Sequence, residues 1–328
     1  MNLLVTGGAG YIGSVTTKLL LDSGHKVTVF DNLEVGHREA LDPRAAFVQG
    51  DLRTPEDIRA AMLDAKPDAV LHFAAYALVG ESCQKPEKYF RNNVYGGLNL
   101  VEAMREAGTK RIVFSSTCAT YGQPEKLPIT EKTPQLPTNP YGESKLMFEK
   151  ILLWYQKLHG FEPVRLRYFN ACGASGRLGE DHTPETHIIP NVLKAALGQL
   201  PKVTIFGRDY RTPDGTCIRD YIHVEDLAAA HKLAVESDAV GAFNLGTGRG
   251  FSVAEIVEAA RAVTGIDIPA EYGERRPGDP DELVADPSEA ARVLGWTAKH
   301  TEPADIIATA WAWHRLHPFG YADGCKRE

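Results

Sequence analysis

The chain has 328 residues, 43% hydrophobic and 24% charged, which suits one large or two intimate globular domains. Its net charge is -7 and it has no Lys/Arg run, which excludes the basic face of a nucleic-acid binder. No apolar run approaches the ~18 residues of a membrane span, and the scattered Cys83, Cys118, Cys172, Cys217 and Cys325 suggest neither a disulfide framework nor a zinc site.

The first strand begins at Asn2, leaving no room for a signal peptide, and a reducing, cytoplasmic setting is expected. Leu3-Leu4-Val5-Thr6 reads as a buried parallel strand. Gly7-Gly8-Ala9-Gly10-Tyr11-Ile12-Gly13 follows at once. Ile12, Val15, Thr16, Leu19 and Leu20 then recur as the inward face of a helix that ends at Ser23-Gly24-His25. Lys26-Val27-Thr28-Val29-Phe30 is the next strand, with Asp31 at its end. A glycine turn between strand and helix is the context that binds a dinucleotide. Gly7 permits the tight turn, Gly10 a close approach to a pyrophosphate, and Gly13 close packing of helix on sheet. The pyrophosphate sits at the helix N-terminus, where free N–H groups and the dipole favour an anion. Asp31, 18 residues beyond Gly13, suits a ribose 2′-hydroxyl and repels a 2′-phosphate, so NAD is expected rather than NADP.

Phe47-Val48-Gln49-Gly50-Asp51-Leu52 ends a strand with an acid that either reaches an adenine or simply leads into a helix. Ala69–Ala75 is another buried strand, in which His72 reads as a core histidine and the small residues at the end suit a cofactor lying across the strand ends. Arg111–Thr117 is a fifth strand that ends in Ser115, Ser116 and Thr117. The alternation gives an α/β fold with a Rossmann-type doubly wound parallel sheet.

In Asn139-Pro140-Tyr141-Gly142-Glu143-Ser144-Lys145, the tyrosine and lysine are one helical turn apart and share a face. A free phenol has a pKa near ~10. A cation about 5 Å away, at an effective dielectric of about 20, favours the phenolate by roughly 3 kcal/mol, or about two pKa units. Oxidised nicotinamide adds a second positive charge and burial opposes both, leaving a tyrosine expected to be poised as a base. Beyond it, 171–179, 209–215 and 273–281 read as binding loops, and helices are expected at Val224–Glu236, Val253–Val263 and Glu302–Leu316.

The glycine turn, Asp31, Ser115-Ser116-Thr117 and Tyr141/Lys145 have the order and spacing of the extended short-chain dehydrogenase/reductase superfamily. Leu166-Arg167-Tyr168-Phe169-Asn170, Val203-Thr204-Ile205-Phe206-Gly207, the stretch 209–216, Ile218-Arg219-Asp220-Tyr221-Ile222-His223-Val224, Asn244-Leu245-Gly246-Thr247-Gly248 and Arg275-Arg276-Pro277-Gly278-Asp279-Pro280 narrow it. Over essentially its whole length, the chain resembles the UDP-glucose 4-epimerase family.

The resemblance implies an NAD-dependent exchange of UDP-glucose and UDP-galactose that needs no metal. Tyr141 would be general base and then acid. Lys145 would lower its pKa and bind the nicotinamide ribose, and Thr117, serine in many members, would lie close to sugar O4. Cofactor contacts are implied for Gly7, Gly10, Gly13 and Asp31, for Tyr11, Ile12, Asn32, Asp51 and Leu52, for Phe73, Ala74, Ala75 and Asn92, and for Ser115 and Tyr168. Asn170, Arg219 and Arg276 would meet the diphosphate, Phe206 the uracil, and Tyr221 and Asp279 the uridine ribose. His187, asparagine in some bacterial members, also falls on the substrate side, and Ala77 stands where some of those members have lysine. Leu283 borders the sugar in this family, although it serves equally well as a strand hydrophobe.

The implied domains interleave. Residues 1–170 plus 219–247 would bind NAD, and 171–218 plus 248–322 would form a smaller mixed α/β domain for the UDP-sugar. Strands near Tyr221 and Phe243 would return to the NAD domain. A homodimer through Pro86–Ala107 and Tyr141–His159 is implied, although those apolar faces would also serve as core. The rivals are another nucleotide-sugar enzyme, namely a 4,6-dehydratase, a uronate decarboxylase or a pentose epimerase, and a non-catalytic NAD-binding regulator; a dehydratase would need Asp-Glu where Cys118-Ala119 stand, and a regulator would not need Tyr141 and Lys145.

Overall fold

The computed structural model describes residues 1–276 and 278–321; Pro277, residue 322 and Cys325 lie outside the described residues. The first half alternates strand and helix: β1 (Asn2–Thr6), α1 (Tyr11–Asp22), β2 (Lys26–Asp31), β3 (Ala46–Gln49), α2 (Pro55–Ala65), β4 (Ala69–His72), α3 (Val79–Gln84), α4 (Pro86–Tyr89), α5 (Gly96–Ala107), β5 (Arg111–Thr117), α6 (Pro140–His159) and β6 (Glu162–Tyr168). The second half adds β7 (Asn170–Cys172), α7 (Ile188–Ala196), β8 (Val203–Phe206), β9 (Ile218–His223), α8 (Val224–Glu236) and β10 (Gly241–Leu245). Then come β11 (Gly250–Ser252), α9 (Val253–Thr264), β12 (Ala270–Gly273), β13 (Glu282–Leu283), α10 (Ser288–Leu294) and α11 (Pro303–Leu316).

Seven parallel strands lie in the order β3-β2-β1-β4-β5-β6-β10. Successive residues of the central strands go to opposite faces. Leu3, Val5, Leu71 and Val113 pack on one side against Leu227, Ala230 and Ala234 of α8. Leu4, Val70, Ile112 and Phe114 pack on the other against Ile58, Met62, Leu100, Met104, Phe148 and Leu152. Both faces are covered, which is why these strands read as unbroken apolar runs. Strand order reverses between β1 and β4. Open α/β sheets bind ligands outside the strand ends at such a point.

The smaller unit is built on β9, which pairs with β7, β11 and β13, and on the parallel pair β8–β12. Ile189, Val192, Ile256, Val257, Ile306 and Ile307 close its own core beneath α7, α9 and α11. Two expectations change here. The strand around Phe243 returns to the large sheet as β10, but the strand around Tyr221 does not. β10 occupies the edge of β6, while the Asp220 carboxylate of β9 accepts from the backbone N–H groups of Thr247, Gly248 and Ala285. Those bonds hold β9 in the second sheet. The segment 171–179 is also not all loop, because Ala171 and Cys172 pair with Ile222 and His223.

Candidate active site

The switch point carries the glycine turn. Gly7 has φ of 75°, and a Cβ there would meet the backbone of Ala74 at 2.5 Å; one at Gly13 would meet the Gly7 carbonyl at 2.2 Å. The turn is therefore clamped between β1, β4 and α1, and it is open only where Gly10 has space in front of it. α1 starts without a side-chain cap or an acidic residue in its first turn, so its leading N–H groups at Tyr11 and Ile12 remain free to receive an anion. Asp31 closes the cradle: its carboxylate accepts from Ala9 N (3.0 Å) and Leu33 N (2.9 Å), and burial raises its pKa against those bonds. The cradle fits a dinucleotide diphosphate with its adenosine ribose at Asp31.

Other expected cofactor residues differ in how free they are. Asp51 lies beyond the end of β3 and is gripped by Arg53 at 2.9 and 2.5 Å, which pulls its pKa down to about 2; Asn32 also donates to it at 3.1 Å. Leu52 packs into the core beside Ile58. Phe73 lies half-buried against His231 at 4.5 Å, and Ala74 and Ala75 follow it, half-buried, past β4. Asn92 belongs to a π-helical turn, Phe90–Tyr95, that the sequence reading lacks. Its neighbour Asn93 binds both backbone groups of Tyr76 and the Ser144 hydroxyl, and so anchors the strand-4 loop to α6. His72 is a core residue hydrogen-bonded to Thr6, its pKa lowered by burial to about 3.

Tyr141 and Lys145 share the first turns of α6. The helix starts just before them because Pro140 takes the first position and Asn139 caps Gly142 N at 2.8 Å. A Cβ on Gly142 would meet the Ala119 carbonyl at 2.6 Å, so this glycine lets α6 press against the turn after β5. The Tyr141 hydroxyl thereby comes close enough to Thr117 for that side chain to favour the phenolate, and Thr117 Oγ1 accepts from Ala119 N at 3.1 Å. Lys145 is buried; its Nζ donates to the Ser115 carbonyl at 2.8 Å and lies 4.9 Å from the Phe114 ring. Ser115 Oγ in turn bonds the Tyr168 hydroxyl. Burial pushes the Tyr141 pKa up to about 12, against the Thr117 side chain, and pushes Lys145 down to about 7, against the charge of Glu149. Among the chain's own groups, burial is the largest influence on the phenol.

Beneath this pair lies a buried ionic network absent from the sequence reading. Glu149, one turn beyond Lys145, accepts from Arg167 at 2.9 and 2.5 Å and from Ser116 at 2.5 Å. Arg167 donates onward to Tyr121, which donates to Asn244 of β10.

The expected substrate residues are spread over several places. Arg219, buried at 8% exposure, binds Asp279 at 2.6 Å and the carbonyls of Ile218 and Pro280; Tyr210 also donates to Asp279. Arg219 and Asp279 thus hold one another and present their remaining polarity as a pair. Exposed Arg276 covers the Phe206 ring at 4.3 Å. Tyr221 is only 3% exposed and packs in the second core, which leaves it little surface to offer a ribose, and Asn170 is its register partner. Leu283 packs half-buried against the cluster of Cys118, Tyr121, Ile129, Phe169 and Ala285, and Cys118 directly follows Thr117 in the chain. His187 lies apart from these, paired with Glu180 and Glu185. Ala77 is exposed.

The chain matches the NAD dependent epimerase/dehydratase family over residues 3–246. It is 55% identical to the UDP-glucose 4-epimerase of Lactobacillus helveticus, over 98% of its own length and 100% of that relative. Its backbone follows the crystal structure of UDP-glucose 4-epimerase from Brucella ovis in complex with NAD, at TM-score 0.92 and 50% identity over 95% of this chain and 97% of that one. It also follows the Bifidobacterium longum UDP-glucose 4-epimerase in complex with NAD+ and UDP, at TM-score 0.93 and 39% identity over 98% and 100%. The chain belongs to this epimerase/dehydratase family and, within it, groups with the UDP-glucose 4-epimerases.

Proposed function

From that membership, we propose that the chain interconverts UDP-glucose and UDP-galactose, with Tyr141, Lys145 and Thr117 as its catalytic residues. The observation that carries the reading is the seating of Tyr141 beside Thr117, with Lys145 buried one helical turn on and donating to the Ser115 carbonyl, at the mouth of a dinucleotide cradle. The glycine turn and Asp31 would hold NAD, which would supply the hydride chemistry at sugar C4.

The chain's own groups handle the proton. Tyr141 takes it from O4 and gives it back, with Thr117 holding O4 and the phenol in register. Lys145 stays poised between charged and neutral because burial and Glu149 oppose each other. It provides the positive charge that favours the phenolate while it fixes the β5 end through Ser115. The nucleotide is held by Arg219, Asp279, Asn170, Phe206 and Arg276, with Tyr221 behind them; His187, expected on the substrate side, lies apart with Glu180 and Glu185. Arginine suits the diphosphate because its planar fork binds oxygen pairs. Anchoring at the nucleotide leaves the sugar free to turn.

Leu283, packed on Cys118 beside Thr117, bounds the sugar, and a weaker action on UDP-N-acetylglucosamine follows from its being smaller than tyrosine. Residues 1–170 with 224–247 form the NAD unit, and the remainder, now including β9, the nucleotide-sugar unit. The exposed stripe Met147, Trp154 and Leu158 on α6, with Leu98 on α5, supports a homodimer through these helices. Among the described residues no helix is long and apolar enough to cross a membrane, in keeping with a cytoplasmic role in galactose metabolism.

The test is turnover of a panel of UDP-sugars, with the nucleotide released on denaturation identified. UDP-glucose and UDP-galactose should interconvert to equilibrium, and the released nucleotide should be NAD. A net gain of NADH in step with product would refute the cycle.

A further inference from the structure

Glu180-Asp181-His182-Thr183-Pro184-Glu185-Thr186-His187 leads from the small unit's loop into α7. Four side chains of this segment converge, one ligand-capable atom each from Glu180, His182, Glu185 and His187 lying within 4.8 Å of the others. His187 Nδ1 is 2.8 Å from Glu180 Oε1 and 2.9 Å from Glu185 Oε1. His182 Nδ1 is 3.3 Å from the same Glu180 oxygen and 3.8 Å from Glu185 Oε2. Glu180 is 6% exposed, and the buried His182 Nδ1 makes no hydrogen bond even though it faces both carboxylates.

Two imidazole nitrogens and two carboxylate oxygens are a donor set for a divalent first-row transition ion, and four protein ligands at one point favour zinc. Ligands about 2.1 Å from a tetrahedral ion stand about 3.4 Å from one another. The four histidine–carboxylate separations, from 2.8 to 3.8 Å, fall on both sides of that edge, and one ligand atom from each residue lies within 4.8 Å of the others. The charges also match, since two carboxylates cancel one dication. We propose that Glu180, His182, Glu185 and His187 form a structural zinc site.

The site acts as a clasp between the two units. The Asp181 carbonyl accepts from His37 Nε2 at 3.0 Å, its carboxylate accepts from Tyr321 N at 2.9 Å, and the His182 ring meets the Tyr11 ring edge-on at 6.3 Å. Tyr11 opens α1 at the glycine turn. An ion held by the loop fixes it beside the dinucleotide cradle. It takes no part in the epimerase steps, and the inference stands independently of them.

The experiment uses the full-length protein, freed of any histidine tag and stripped with a chelator. It is titrated with zinc chloride and, separately, with cobalt(II) as a spectroscopic probe. One zinc per chain, a tetrahedral cobalt(II) visible spectrum and a higher melting temperature with zinc are expected. His182→Ala and Glu185→Gln should each weaken zinc binding more than about 100-fold, since even outer-shell changes cost 10–100-fold. Without metal, both variants should melt close to the parent. Failure of the parent to take up stoichiometric zinc or cobalt overturns the proposal, and so does uptake unchanged in both variants. The cluster is then a set of histidine–carboxylate ion pairs only.

Discussion

Glu149→Gln separates stability from catalysis in one side chain. Glu149 is 1% exposed and gives both oxygens to Arg167, at 2.9 and 2.5 Å, with Ser116 at 2.5 Å and Arg165 at 3.8 Å. The amide keeps the shape but removes the charge, so Arg167, itself 3% exposed, loses its counter-ion. Breaking a buried pair from one side costs about 3–5 kcal/mol. At roughly 2 °C per kcal/mol for a chain of this size, the melting temperature should fall by about 6–10 °C. The second effect is electrostatic. Burial holds Lys145 down to about 7, and the Glu149 carboxylate is the group that opposes it. Removing that carboxylate lowers the Lys145 pKa further, so the ammonium is lost at a lower pH and the falling alkaline limb of kcat should move toward acid. Replacing the pair with apolar side chains, Glu149→Met with Arg167→Met, should restore most of the melting temperature. The shifted limb should remain, because the carboxylate is still missing. The assays are thermal melting and kcat against pH with UDP-galactose. A single variant that melts with the parent refutes the ion-pair argument, and an unshifted limb in both variants refutes the coupling to Lys145.

Tyr141→Phe removes the hydroxyl beside Thr117 and leaves the packing, so kcat should fall by about 10²–10⁴-fold with UDP-sugar binding retained; turnover near the parent's would exclude this residue as the proton carrier. Leu283→Tyr should abolish epimerisation of UDP-N-acetylglucosamine and spare UDP-galactose, while loss of both or of neither shows that the residue does not bound the sugar. Asp31→Ser should let NADP bind, measured by competition with NAD; unchanged exclusion of NADP would place the discrimination elsewhere. Trp154→Glu sets a charge in the exposed α6 stripe and should yield monomers by light scattering, and an unaltered mass would remove these helices from the interface.

Features set by local chemistry could be read directly. α8 spans the expected Val224–Glu236, and α9 starts where Ser252 and Glu255 form a reciprocal capping box. The glycine turn and the Tyr141/Lys145 spacing predict neighbours because each motif places its own groups. The destination of β9 was not legible. Residues 218–223 and 241–245 are both short strand-like runs, and only competition for the edge of β6 separates them. The direction of the Tyr141 shift was also hidden, since it depends on how deeply α6 sinks against the turn after β5. Glu149 left a fainter signal. It lies four residues beyond Lys145, and Arg165 and Arg167 alternate in an otherwise apolar strand, which is what a buried counter-charge requires.

The return of β10 to the edge of β6 sets an order of events during biosynthesis. Everything through β6 leaves the ribosome before residues 241–245 are made, with the whole of β7, β8 and β9 in between. For that interval β6 offers an unpaired edge, and the face of the sheet destined for α8 is bare. Open strand edges template pairing with other chains, and newly made domains are most prone to aggregate while they wait for a distant segment. A message truncated after residue 170 would therefore not release a working nucleotide-binding fragment. It would release a sheet with one sticky margin and one uncovered face, which is a substrate for chaperones and proteases.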